Sequence, residues 1–128
     1  MTIANWCILT ACLLPIISVN LARLRPSTEA GQQFDNHAPR FWQSQLTGWQ
    51  QRAVAAQSNG FEALPLFIAG VLIAQMNHAN QTTVNAIALS FIAVRCLYLI
   101  FYLCDLASLR SFAWLLGMAL SISLFCLS

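Results

Sequence analysis

Four runs of about twenty predominantly apolar residues dominate the chain and leave it few ways to fold. They span residues 3–24, 50–76, 84–104 and 109–127. Because a helix rises about 1.5 Å per residue, each run is long enough to cross a hydrocarbon layer about 30 Å thick. Only 8% of the residues are charged, against about 25% in soluble domains. The sequence therefore predicts an all-α integral membrane protein, a four-transmembrane-helix bundle that forms a single domain over residues 1–128.

The connections between these runs differ in length and in charge. The first, residues 25–49, is long, whereas the second and third are short. Positive residues favour the cytosolic side of a membrane, and four arginines flank or occupy the first connection: Arg23, Arg25, Arg40 and Arg52. Arg110 lies at the third connection, and the second has no arginine. We therefore expect the first and third connections to be cytosolic and both termini to lie outside.

Other features of the composition exclude several classes of protein. The net charge of +2 comes from scattered arginines, so nucleic-acid binding is not expected. None of the five cysteines has Cys-x-x-Cys spacing, and we interpret them as small packing residues. His37 and His78 lie apart in two connections, and no metal site is predicted. The first run lacks the positive start of a secretory signal, so we interpret it as a retained span.

Two ionisable residues lie within the apolar runs, where a charge is costly unless it is paired or faces a polar cavity. Glu62 lies 13 residues before Gln75, and Arg95 lies 12 residues after Thr83. At about 1.5 Å per residue these positions are at nearly the same depth in the membrane. The sequence therefore predicts that Glu62 and Arg95 can pair across two helices. Such a pair could serve structure alone, since buried ion pairs often specify packing.

Polar residues also form one stripe on the second predicted helix and one on the third. Helical spacing places Arg52, Asn59 and Glu62 on one face of the second helix. The same spacing places Arg95, Tyr98 and Tyr102 on one face of the third. The two stripes are predicted to line one cavity. The alternatives are that the tyrosines are interfacial anchors, that Asn59 bonds between helices, and that Arg110 only sets topology.

These motifs resemble those of the membrane-associated proteins in eicosanoid and glutathione metabolism, the MAPEG family. Residues 52–67, RAVAAQSNGFEALPLF, resemble the family's second helix, which carries Arg-Ala, then Asn-x-x-Glu, then an apolar Pro-x-Phe stretch. The stripe Arg95-x-x-Tyr98-x-x-x-Tyr102 resembles that of its third helix. Leu109-Arg110-Ser111 resembles the arginine that opens its fourth helix. The resemblance covers nearly the whole chain.

The resemblance implies a homotrimer among membrane lipids, with glutathione bound between neighbouring subunits near the cytosolic face. It implies that Arg110 stabilises the glutathione thiolate, because a guanidinium is effectively always charged. It also implies a glutathione-dependent membrane transferase or peroxidase acting on apolar electrophiles or lipid hydroperoxides. The residues implied to hold the tripeptide are Arg52, Gln57, Asn59, Glu62, Arg95, Tyr98 and Tyr102.

Some positions depart from the family pattern. Ala55, Ala56 and Ser58 surround Gln57 where glutathione-binding members often carry an additional arginine or histidine, and Ala63 stands where some have tyrosine. The separation of Tyr102 and Arg110 differs by one residue from that in some catalytic members. Residues 36–40 resemble uncharacterised bacterial members, which implies a bacterial inner membrane. The termini, which the arginine positions place outside, would then be periplasmic.

Two other functions were weighed against this one. The departures favour a noncatalytic member of the fold that binds a lipid or small thiol, or that supports a partner. A small proton-coupled drug exporter would also have four spans. It is disfavoured, because such exporters carry a membrane-embedded glutamate in the first helix and the first run here has no acid.

Overall fold

A computed structural model describes residues 1–24 and 33–127, which form a bundle of antiparallel helices. The helices in these ranges are α1 (Ile3–Arg23), α2 (Pro39–Ser44), α3 (Gly48–Met76), α4 (Gln81–Leu103) and α5 (Ala107–Phe125). All except α2 are long and apolar enough to cross a membrane. The prediction of four helices long and apolar enough to cross a membrane is confirmed. The largest difference at a helix end is at α4, which begins at residue 81 and not at 84.

The first connection contains structure that the sequence pattern did not predict. Its short helix α2 begins at Pro39, a residue suited to the first turn of a helix. Trp42 of α2 is buried, and its ring meets that of Phe34 edge to face, with centroids 5.1 Å apart. Arg25 lies outside the described residues.

The helices form a square in which α3 and α4 each contact the three other membrane helices. One end of the bundle is defined by the end of α1, the start of α3, the end of α4 and the start of α5. It carries Arg23, Arg52 and Arg110, and we call it the basic end. Away from it, the rings of Phe67 and Phe91 stack with centroids 3.9 Å apart. The close-packed core therefore occupies the half of the bundle opposite the basic end.

Hydrogen bonds join three helices at the end opposite the basic end. Gln75 Nε2 donates to Thr2 Oγ1 at 2.9 Å and to Gln81 Oε1 at 3.3 Å. Gln81 Nε2 donates to Asn85 Oδ1 at 2.8 Å, and the same oxygen accepts from the backbone of Ala4 at 3.0 Å. These bonds hold the start of α1, the end of α3 and the start of α4 together.

Two glycines of α3 allow its neighbours to approach closely. A Cβ at Gly60 would lie 2.6 Å from Cγ of Pro15 on α1. A Cβ at Gly70 would lie 3.0 Å from Cβ of Leu124 on α5. Close approach through small residues is a common way for membrane helices to gain packing contacts. At Gly117 on α5, by contrast, a Cβ would meet no atom nearer than 3.8 Å.

We predict that Gly60→Ala destabilises the bundle by about 1–3 kcal/mol, the usual cost of overpacking. The ring of Pro15 cannot rotate away from the added methyl group. Gly117→Ala is the matched control, because the same change there meets only ordinary contacts. Denaturant titration in detergent, followed by circular dichroism, measures both variants. Equal stabilities would contradict the close packing of α1 on α3.

Candidate functional site

Arg95 lies inside the bundle, in the middle of α4, with 6% of its surface exposed. Its Nη1 donates a hydrogen bond of 3.1 Å to Oδ1 of Asn59 on α3. A guanidinium has five N–H donors. Within the described residues, the bond to Asn59 is the only hydrogen bond that Arg95 makes. The other donors remain available to a ligand.

The predicted ion pair between Glu62 and Arg95 does not form. Glu62 is exposed on α3, and the ion pair found in the described part of the chain joins Arg52 to Asp105. The reason lies in the helix geometry: Asn59 and Glu62 are three residues apart, so their side chains leave α3 in directions about 60° apart. Asn59 points at Arg95, whereas Glu62 points further outward. The structure thus leaves two opposite charges near each other without pairing them.

A chain of ring contacts connects Arg95 to Arg110. The guanidinium carbon of Arg95 lies 4.3 Å from the ring centroid of Tyr98. The rings of Tyr98 and Tyr102 meet edge to face at 5.6 Å. The guanidinium carbon of Arg110 lies 4.5 Å from the ring centroid of Tyr102. The third-helix stripe therefore extends across the turn to the first turns of α5, and we call Asn59, Arg95, Tyr98, Tyr102 and Arg110 the polar ladder.

Arg52, which the resemblance placed among the glutathione ligands, contacts the turn between α4 and α5. Its Nη2 donates to the carbonyl oxygen of Leu103 at 3.2 Å, and its Nη1 lies 3.9 Å from a carboxylate oxygen of Asp105. Asp105 is 69% exposed, so the ion pair itself adds little stability. Arg52 thus holds the turn that leads to Arg110. Sequence reasoning missed Asp105 as its partner, although an acid in a short connection at the basic end was a visible signal.

Gln57 lies away from the polar ladder. It lies two residues before Asn59, which places it about 160° around α3 from that ladder residue. Its side chain is half-buried. Within one subunit, Gln57 therefore lies on a different face of α3 from Asn59.

A cavity of about 230 Å³ lies between α3, α4 and α5. We call it the central cavity; its wall is formed by Glu62, Ala63, Leu66, Phe91, Arg95, Trp114, Gly117, Met118 and Ser121. A much narrower gap of about 20 Å³ lies on the other side of Arg95, against α1. The α5 wall was missed by sequence reasoning. Its signal was helical spacing, since Trp114, Gly117 and Ser121 continue the face that Arg110 begins.

Comparison with known proteins gave one match. A sequence model of the MAPEG family matches residues 3–128, essentially the whole chain. Comparisons with curated proteins and with solved structures found no match.

We predict that Glu62→Gln changes the free energy of unfolding of the single-chain bundle by no more than about 0.5 kcal/mol. The carboxylate makes no ion pair that the change would break. Breaking a true buried pair would cost about 3–5 kcal/mol. Denaturant titration of monomeric protein in detergent distinguishes the two values. Arg95→Met is the companion variant, and it is expected to keep or raise stability, because it replaces a buried charge that has no acidic partner.

Proposed function

The chain belongs to the MAPEG family, and on that premise we propose that it is a glutathione-dependent membrane transferase or peroxidase. Its substrates in this proposal are apolar electrophiles or lipid hydroperoxides that enter from the bilayer. It works as a homotrimer in a bacterial inner membrane, with both termini periplasmic.

The unpaired charges at the central cavity are the observation that carries the proposal. Arg95 is a buried cation whose hydrogen-bond partner is a neutral amide, and Glu62 is an acid without a cation in the described residues. Ionisable groups in a membrane span are costly unless a partner or a polar cavity compensates them. Glutathione carries carboxylates, which can pair with Arg95, and an ammonium group, which can pair with Glu62. In this proposal Arg95, Asn59 and Glu62 hold it, and Tyr98 and Tyr102 border it.

Arg110 is the catalytic residue in this proposal. When bound, glutathione supplies a thiol whose thiolate form is the nucleophile. The guanidinium of Arg110 is effectively always charged, so it stabilises a neighbouring anion at any physiological pH. The ring of Tyr102 limits the positions that this guanidinium takes. Arg52 acts indirectly. Through its contacts with Leu103 and Asp105 it holds the turn that leads to Arg110.

One outward-facing residue supports the homotrimer. Glu62 is exposed in the middle of α3, and a carboxylate at that depth is unfavourable against lipid tails. A second copy of the chain packed against α3 would remove it from lipid. In this proposal Gln57, which lies apart from its own polar ladder, contacts the glutathione of a neighbouring subunit.

A noncatalytic member of the fold that binds a lipid or small thiol is the second candidate. It is favoured by Ala55 and Ala63, which supply no polar group, and by Arg52, which already contacts Leu103 and Asp105. Fewer cations then remain for the carboxylates of glutathione. The two candidates differ in whether the bound thiol is ionised.

We predict that adding glutathione at neutral pH produces a saturable thiolate absorbance in the ultraviolet, and that Arg110→Ala abolishes it with the oligomer intact. The reason is the loss of the cation that stabilises the anion. Arg23→Ala is the matched control, because Arg23 also lies at the basic end over an aromatic ring, that of Phe34, but outside the polar ladder.

Either of two results would contradict the catalytic proposal. One is equal thiolate absorbance in Arg110→Ala and in the unaltered protein. The other is saturable glutathione binding without any thiolate absorbance, which is the result expected of a noncatalytic binder.

A further inference from the structure

We propose that α2 lies in the membrane surface at the basic end of the bundle and binds anionic phospholipid there. The surface that it presents is formed by Arg40, Phe41 and Ser44, and we call it the outer face of α2. Phe41 enters the boundary of the acyl chains, and Arg40 together with Arg23 of α1 binds the lipid phosphate. This surface is separate from the polar ladder and the central cavity, so it goes beyond the proposed function.

The end of α1 gives the level of the membrane surface. α1 has 21 residues, which at about 1.5 Å each give a length close to the hydrocarbon thickness of about 30 Å. Its last turn, with Arg23, therefore lies near the lipid headgroups. The start of α3 lies at the same level, because Gln50 Nε2 donates to the carbonyl oxygen of Ala22 at 2.9 Å.

Ring contacts hold α2 at this level. The guanidinium carbon of Arg23 lies 4.7 Å from the ring centroid of Phe34. The ring of Phe34 in turn meets that of Trp42 on α2, with centroids 5.1 Å apart. Residues 45–47 connect α2 directly to α3, and Leu46 among them is buried. α2 is therefore fixed beside the end of α1 and the start of α3, where the headgroups lie.

The two sides of α2 differ in exposure. Trp42, on the side toward the bundle, is 3% exposed, whereas Phe41 is 67% exposed, the highest value for an aromatic side chain in the described residues. Arg40 and Ser44 are also exposed. Burial of a phenyl ring is favourable, and apolar side chains beside cations are typical of helices that lie in a membrane surface. The outer face of α2 thus fits the boundary between headgroups and acyl chains.

The charges near α2 favour an anionic lipid over a zwitterionic one. Neither Arg23 nor Arg40 forms an ion pair within the described residues, and Arg23 donates to a neutral oxygen, Oδ1 of Asn20, at 3.3 Å. Asp35, the acid nearest to Arg40 along the chain, accepts a hydrogen bond from the backbone of His37. Each arginine beside an anionic membrane surface adds attraction. The two guanidinium groups can therefore bind a lipid phosphate.

A second copy of the chain is a poorer occupant of the same surface. Two copies that met through the outer face of α2 would place their arginines against each other, and like charges in contact oppose association. A phospholipid supplies the opposite charge and an apolar chain in one molecule.

The first test measures the depth of residue 41 in a bilayer. A nitroxide label is attached to Phe41→Cys in protein whose five native cysteines are replaced by alanine, in vesicles of phosphatidylcholine and phosphatidylglycerol. We expect relaxation of the label by oxygen, which concentrates among acyl chains, to exceed relaxation by a water-soluble nickel chelate. His37→Cys is the matched control, because His37 is exposed among the polar residues before α2, and the opposite order is expected there.

Two results of this test would overturn the proposal. Greater relaxation by the nickel chelate at residue 41 would show that the outer face of α2 lies in water. Protection from both reagents would show that protein, such as a second copy of the chain, covers it.

The second test measures lipid selectivity in protein that keeps its cysteines. Native mass spectrometry gives the affinities of the detergent-solubilised protein for added phosphatidylglycerol and phosphatidylcholine. Arg40→Gln is expected to weaken the binding of phosphatidylglycerol about fivefold and to leave that of phosphatidylcholine unchanged. This factor follows from about 1 kcal/mol for one arginine near an anionic surface, since about 1.4 kcal/mol is tenfold. Arg40→Lys keeps the charge, so it is the matched control and is expected to retain binding.

Two further variants separate the charge from the apolar contact. Arg23→Gln is expected to weaken phosphatidylglycerol alone, as Arg40→Gln does. Phe41→Ser is expected to weaken both lipids by the same factor, because the contact with acyl chains involves no charge. Equal affinities for phosphatidylglycerol in Arg40→Gln and in the unaltered protein would overturn the proposal, and so would an equal loss in Arg40→Lys. These measurements need no glutathione, so their outcome is independent of the proposed function.

Discussion

The burial of Arg95 is the constraint on which the rest of the site depends. A cation inside a membrane bundle needs acceptors, aromatic faces or a polar cavity. The structure provides Asn59 as acceptor, the ring of Tyr98 as a face, and an open volume on the side of α5. Among the described residues no acid forms an ion pair with Arg95, so its guanidinium is available to an anionic ligand. The positions of Tyr102 and Arg110 follow from the same ring contacts.

The two halves of the bundle are built differently, and the difference explains how an open site is kept stable. Away from the basic end, the stack of Phe67 on Phe91 and the close approach at Gly70 give a dense core. Toward the basic end, that packing gives way to the polar ladder and the central cavity. Arg52 then ties the looser half together through the turn between α4 and α5.

Much of this structure was predictable from periodicity, and the errors have physical causes. The third-helix stripe was visible because residues three and four apart share a helix face. The pairing of Glu62 with Arg95 was wrong, because equal depth does not specify direction around a helix, and Asn59 lies closer to the direction of Arg95. The partner of Arg52 was missed for a related reason. It comes from the turn after α4, whose approach to the start of α3 depends on how the helices pack.

The sequence by itself determined the four membrane helices, the polar stripes and the family. Length, hydropathy and spacing are local properties, and lipid leaves the backbone no alternative to helices or closed barrels. Tertiary structure alone decided which charges meet and that Gln57 lies apart from the polar ladder. It also decided that Gly117 borders a cavity, whereas Gly60 lies at a close contact between two helices. These depend on the rotation and separation of neighbouring helices. Many side chains set those together, so no single motif reports them.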